Sequence, residues 1–228
     1  MRLLLSLGLV ATLLLGWRLI WRSGPEPLVV YCAHDSIYSE SILRAFERQS
    51  GIPVAIRFDT EATKSLGLVE LLIKEKERPR CDLFWNNELL GTLDLAERGL
   101  LEPYQGSGFA RIPERFRAPG GEWAGFAARL RVVIFNTGAL PPGETDPFPA
   151  STGDLSRRAI AKPLYGTTLT HYSVLWQRWG PDKTKAWHRQ WRDAGVRELN
   201  GNAAVKNAVA EGACDAGYTD TDDFFEAA

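Results

Sequence analysis

The residues best equipped for chemistry in this 228-residue chain are carboxylates with no nucleophile beside them. Asp220-x-Asp222-Asp223 sets three acids directly after the short run Cys214–Thr219. Asp35, Glu61 and Glu88 follow the runs Leu28–Tyr31, Pro53–Phe58 and Asp82–Trp85 in the same way. Convergent oxygen donors of this type suit a hard cation. Asn87, Thr167, Thr168 and Asn202 occupy similar positions and add amide and hydroxyl groups. Thr167 and Thr168 precede a helical pattern, and the N–H groups of such a terminus can hold an anion. Arg129 and Arg131 could add positive charge there, or serve as surface or inter-lobe salt bridges.

Each acid also has a plainer use. Asp35 is a good N-cap. Glu88 fits the first turn of a helix, where the dipole favours a negative charge. Asp220, Asp222 and Asp223 could cap a helix beginning at Phe224. Their spacing lacks the glycine and terminal glutamate of an EF-hand loop. His34 alone is a weak metal candidate, and His171 and His188 fall on helical patterns. The three cysteines are too scattered for a zinc site. Trp176, Trp179, Trp187 and Trp191 recur at helical spacing and point to packing more than to a sugar platform. Nucleophile elbow, P-loop and dinucleotide fingerprint are all missing, so no catalytic residue is assigned.

The elements that must position these residues alternate. After the strand Leu28–Tyr31 comes a helix bearing Ile37, Ile42, Leu43 and Phe46, closed by Gly51. Pro53–Phe58 reads as a strand, and a helix from Thr63 or Ser65 runs into the Lys74–Arg80 charge run. Asp82–Trp85 is a strand and Glu88–Arg98 a helix stopped by Gly99. Pro103–Glu122 has no period, and Pro141–Pro149 reads as a surface loop. Beyond the strand Arg131–Asn136 the rhythm resumes. Strands are expected at Ala159–Tyr165, Val196–Leu199 and Cys214–Thr219, and helices at Thr170–Trp179, Lys183–Ala194 and Ala203–Glu211. Such alternation calls for an α/β fold with a largely parallel sheet. A boundary near Trp123–Arg131 gives two lobes, residues 27–128 and 129–228. Ligands in such folds bind beyond the carboxyl ends of strands and between lobes.

Residues 1–22 read as a signal peptide or membrane anchor. Arg2 precedes an apolar run from Leu3 to Trp17, Arg18 interrupts it, and Arg22 closes it. No small-residue cleavage site precedes Ser23, so retention as an anchor and cleavage both stay open. The remainder would then be periplasmic or otherwise extracytoplasmic. With 27 basic and 28 acidic residues the net charge is −1, and acids predominate after Ser23. That balance argues against a nucleic-acid partner. The low net charge and 24% charged residues exclude an intrinsically disordered chain.

Val29-Val30-Tyr31-Cys32-Ala33-His34-Asp35, with Phe46-Glu47-Arg48-Gln49-Ser50-Gly51-Ile52-Pro53-Val54, resembles the opening of iron(III)-type periplasmic solute-binding proteins of ABC importers. Asp82-Leu83-Phe84-Trp85-Asn86-Asn87-Glu88 and Leu95–Pro103 are similar to a second family stretch. Trp123–Phe126 with Arg129-x-Arg131-Val132-Val133 resembles the lobe crossing. Asn202-x-x-Val205-Lys206 through Asp215-Ala216-Gly217 resembles the helix and strand before the metal loop. The similarity covers nearly all of the chain after Leu28.

This resemblance implies a two-lobed, type II periplasmic-binding-protein fold, incomplete at its C-terminal end. The family's histidine falls at Asp35, or at His34 one residue earlier. Its glutamate falls at Asn87, next to Glu88, and its two adjacent tyrosines fall at Asp222 and Asp223. Thr167, Thr168 and Asn202 fall where members cradle a synergistic anion. The implied ligand-binding residues are Asp35, Asn87, Glu88, Arg129, Thr167, Thr168 and Asn202, with Asp35, Glu88, Asp222 and Asp223 on the metal. Phenolate is a strong donor for hard iron; carboxylates bind iron too, but equally suit other hard cations or a neutral solute.

The expected function is ligand binding without chemistry, as a monomeric component that closes on ferric iron or another hard ion and delivers it to an ABC permease. No catalytic cofactor is expected, only a bound Fe(III) ligand with its anion. A carbohydrate or other organic solute on the same fold is the alternative, and a metal-dependent hydrolase using Asp220–Asp223 is a further one. Family members continue about a hundred residues past the metal loop, so this chain is expected to be a fragment or a minimal variant. Exposed apolar surface on the first lobe and weakened ligand retention are the expected consequences.

Overall fold

A computed structural model describes residues 25–59, 66–139 and 155–227. The N-terminal segment 1–22, Glu61, the Thr63 and Ser65 helix start and the Pro141–Pro149 loop lie outside the described residues. Among the described residues no helix is long and apolar enough to cross a membrane.

The first half is built on three parallel strands, β1 (Leu28–Cys32), β2 (Val54–Phe58) and β3 (Leu83–Trp85), in the order β2-β1-β3. Side chains alternate across a strand, so the central strand must bury both of its faces. Val30 and Cys32 pack with Leu43 and Val54 on one side. Tyr31 and Ala33 pack with Leu68 on the other. Helix α1 (Ser36–Ser50) supplies Leu43, and α2 (Leu66–Lys74) supplies Leu68. Gly51 ends α1 with φ 71° and donates its N–H to Glu47 O, a left-handed closure that favours glycine. Helix α3 (Leu89–Glu97) follows β3. Two 3₁₀ turns, Phe109–Arg111 and Glu114–Phe116, occupy the aperiodic stretch.

The second half carries four strands, β4 (Arg131–Phe135), β5 (Arg158–Ala161), β6 (Arg197–Leu199) and β7 (Ala216–Asp220), in the order β4-β7-β5-β6. β5 runs parallel to β6 and β7, whereas β4 is antiparallel to β7 with Arg131 opposite Asp220. Helix α6 (Asn202–Ala210) covers one face, where Val205 and Val209 meet Ile134, Ala159 and Ala161. Helix α5 (Pro181–Asp193) covers the other, where Trp191 meets Ile160, Val196 and Ala216. Helix α4 (Gly166–Trp179) starts four residues before the expected Thr170, and a short α7 (Thr221–Ala227) follows β7 directly. The tryptophans pack as their spacing suggests, with Trp187 and Trp191 ring centroids 4.3 Å apart and Trp191 stacked on Tyr218. Exposed apolar side chains include Ile37, Ile42 and Phe46 on α1, and Leu89 and Leu93 on α3. The second half exposes Trp176, Phe224 and Phe225.

β7 is an interior strand, and its Gly217 lies against α6. A Cβ there would sit 2.4 Å from Val205 Cγ1 and 3.1 Å from Ala159 O. Gly217→Ala is therefore expected to cost about 1–3 kcal/mol through overpacking. A lower urea midpoint with an unchanged slope would register it.

Candidate functional site

A cavity of about 380 Å³ lies between the two halves. It is bounded by the N-terminus of α1, the β3–α3 turn at Asn87, the N-termini of α4 and α6, and helix α7. Its floor depends on Asp220, the last residue of β7, which is fully buried. Burying a carboxylate is costly unless it is paired and hydrogen-bonded. Asp220 meets both conditions. Arg131 Nη1 donates to its Oδ1 at 2.9 Å. Thr167 Oγ1 donates to Oδ2 at 2.5 Å and Asn202 Nδ2 to the same oxygen at 2.9 Å. Arg129 Nη1 stands 3.3 Å from Oδ2.

Arg129 also connects the halves. Its Nη2 donates to Asn87 O at 2.9 Å and its Nη1 to Asp222 Oδ2 at 3.1 Å. The hydrogen bond to the Asn87 carbonyl crosses between the halves, whereas both ion pairs of Arg129, with Asp220 and Asp222, lie within the second. The second oxygen of Asp222, Oδ1, is buried and has no hydrogen-bond partner among the described residues. Asp223 accepts from Thr219 Oγ1 at 2.5 Å. Burial, reinforced by the negative charges of Asp222 and Asp220, holds the Asp223 carboxyl above the ordinary aspartate range; Thr219 and Lys206 oppose that shift. One ligand atom from each of Asp220, Asp222 and Asp223 lies within 4.8 Å of the others.

The expected site residues are largely brought together. Asp35 and Asn87 line the cavity from the first half. Arg129, Thr167, Thr168, Asn202, Asp222 and Asp223 line it from the second. Asp35 occupies the N-cap position of α1 but makes no side-chain cap bond; its carbonyl accepts from the N–H groups of Tyr38 and Ser39 instead. Glu88 is absent from the cavity wall. It caps α3, accepting from Leu90 N and, at 2.8 Å, from Gly91 N. Thr170 Oγ1 reaches Glu88 from the second half at 3.3 Å. Thr168 Oγ1 donates to Asn202 Oδ1 at 3.1 Å, so the hydroxyl and amide groups read as an anion cradle are bonded within their own network. The backbone N–H groups at the starts of α4 and α6 receive no side-chain cap.

Sequence reasoning missed several cavity residues, among them Tyr38, Lys206 and Glu226. Lys206 Nζ pairs with Glu226 at 2.8 Å. Tyr38 lies in the first turn of α1, beyond the residues that directly follow β1. Burial and then the charges of Glu226, Asp222, Asp223 and Asp35 raise its phenol above the usual tyrosine range. Among the described residues no tryptophan lines the cavity.

Two outcomes follow from this geometry. Asp220→Ala would leave two guanidinium groups without their shared buried partner and is expected to cost about 3–5 kcal/mol in denaturant unfolding. Asp223→Asn should act in the opposite direction. A carboxyl whose folded pKa is raised contributes stability in full below its unfolded value, about 3.9, and loses it as pH rises through the folded value. The asparagine variant should therefore melt higher than wild type at neutral pH. That advantage should vanish as pH falls below about 4 in a thermal-melt series.

No protein-family model matches the chain. Two curated proteins are similar to it along most of its length. Iron uptake protein A1 of Synechocystis sp. is 25% identical over 234 residues, covering 94% of this chain and 63% of the relative. The Fe(3+)-binding periplasmic protein of Serratia marcescens is 25% identical over 221 residues, covering 93% and 63%. The chain thus spans under two thirds of the length of these relatives. Among solved structures, iron-bound HitA from Pseudomonas aeruginosa superposes with a TM-score of 0.77 at 22% identity, covering 89% of this chain and 65% of that one. AfuA from Actinobacillus pleuropneumoniae, with fructose-6-phosphate bound, superposes with a TM-score of 0.67 at 19% identity, covering 87% and 64%. The chain is similar in sequence to these iron-binding relatives along most of its length and has the two-lobed, type II periplasmic-binding-protein fold of the solved structures.

Proposed function

We propose that this chain is an extracytoplasmic solute-binding component of an ABC importer, taking ferric iron or another hard cation between lobes that meet at residues 128 and 129. The observation that carries the reading is the carboxylate group at the β7–α7 junction. Asp222 and Asp223 present oxygens to a cavity that Asp35 and Asn87 close from the other lobe. Hard oxygen donors at such a density favour a hard cation. The uncapped N-termini of α4 and α6 on the same wall suit a synergistic anion. Glu88, which caps α3 beside the cavity, is the weakest of the proposed ligands. In this role the protein binds and releases without catalysis, outside the cytoplasm, and its partner is the membrane permease.

An organic solute is the second reading, favoured by the likeness to AfuA with its sugar phosphate. The aromatic platform that a sugar face would use is missing from the described wall, since Trp179, Trp187 and Trp191 pack against one another.

Calorimetric titration with ferric nitrilotriacetate, other cations, oxyanions and sugars tests the proposal. Ferric iron or another hard cation should bind; heat from a sugar alone would favour the second reading. Asp222→Ala should abolish cation binding while shifting the thermal midpoint little, because one oxygen of Asp222 has no protein partner and the other has only Arg129.

A further inference from the structure

We propose that Tyr38 is a ligand of the cation site, supplying from the first lobe the phenol oxygen that positions 222 and 223 do not carry. The inference rests on the hard-cation reading above and adds a residue to it. Tyr38 sits in the first turn of α1 and lines the cavity. Asp222, Asp223 and Glu226 of the β7–α7 junction line the same cavity, with Asp35 at the start of α1. Its hydroxyl makes no hydrogen bond to another described residue. Its ring stacks on His34 with centroids 5.9 Å apart and an interplanar angle of 20°. His34 in turn stacks on Trp85 at 5.7 Å. The phenol is therefore held on a packed aromatic row while its oxygen is left unused by the protein.

The opposite lobe offers a matching group. Asp222 Oδ1 is buried without a partner. That atom and the Tyr38 hydroxyl both belong to cavity-lining residues, and neither has a hydrogen-bond partner among the described residues. A cation bound by both would cross-link the lobes, since α1 belongs to the first sheet's layer and α7 follows the second sheet's β7. Phenolate is also the strongest hard donor that side chains provide for iron(III). On coordination the phenol O–H bond breaks, its proton passes to solvent, and its oxygen pair forms the bond to the metal. No electron changes hands.

Phenolate bound to iron(III) gives a visible charge-transfer band that carboxylates do not give, which separates this inference from its premise. The full chain would be titrated with ferric nitrilotriacetate while heat and visible absorbance are followed together. Wild type should bind and develop the band. Tyr38→Phe should lose the band and bind more weakly, with an unchanged circular-dichroism melt. Tyr165→Phe, the control at the cavity's other described tyrosine, should keep the band. Binding by wild type without a band, or a band that survives in Tyr38→Phe, overturns the role of Tyr38 and leaves the cation site standing. Absence of ferric binding in wild type overturns both.

Discussion

The geometry of the cleft depends on one buried carboxylate. Asp220 ends β7 opposite Arg131, which begins β4, and these two residues face each other in the antiparallel register. A charge with no exposure must be compensated from several directions at once. Arg131 does so along the sheet, Thr167 from the start of α4, and Asn202 from the start of α6. Three loops are thereby tied to one side chain. The residues immediately after it, Asp222 and Asp223, inherit their positions from that knot. Arg129 extends it to the other lobe through the Asn87 carbonyl.

The elements were legible because their ends are punctuated. Gly51, Gly99, Gly180, Gly195 and Gly212 all follow helical patterns, and all have positive φ in the structure. Apolar runs with short spacing marked the strands of both sheets. The pairing of β4 with β7 was not legible, because its register is set by residues 89 positions apart such as Arg131 and Asp220. The start of α4 was misplaced for a related reason. Thr167 and Thr168 look like loop residues in sequence, yet their hydroxyls bond to Asp220 and Asn202 across the sheet ends, and this leaves the backbone free to be helical.

The site was legible to the depth of the strand-end rule and no further. That rule reaches Asp35, Asn87, Thr167, Thr168, Asn202, Asp222 and Asp223, and all of these line the cavity. It cannot separate a cap from a ligand, since both demand an oxygen just before a helix. Glu88 and Asp35 show the ambiguity from its two sides. The glutamate spends its carboxylate on α3, while the aspartate sits at the cap position of α1 without using its side chain as a cap. Tyr38, Lys206 and Glu226 lie within helices and reach the cleft only through how those helices pack, which one sequence does not disclose.

Charge balance gives a physical reason for a cation to enter. Three carboxylate oxygens lie within 4.8 Å of one another. Two arginines offset Asp220 and Asp222, but Asp223 is left with a hydroxyl donor and a lysine already paired to Glu226. Its carboxyl is accordingly held above the ordinary aspartate range. A hard cation would relieve the repulsion among the three acids, and the low dielectric of a closed cleft would strengthen the attraction. A neutral solute would relieve none of it. Its hydroxyl could donate to Asp222 Oδ1, but the repulsion among the three acids would persist. Under the proposed reading, the same cluster whose mutual repulsion costs stability would thus be the source of affinity for a cation.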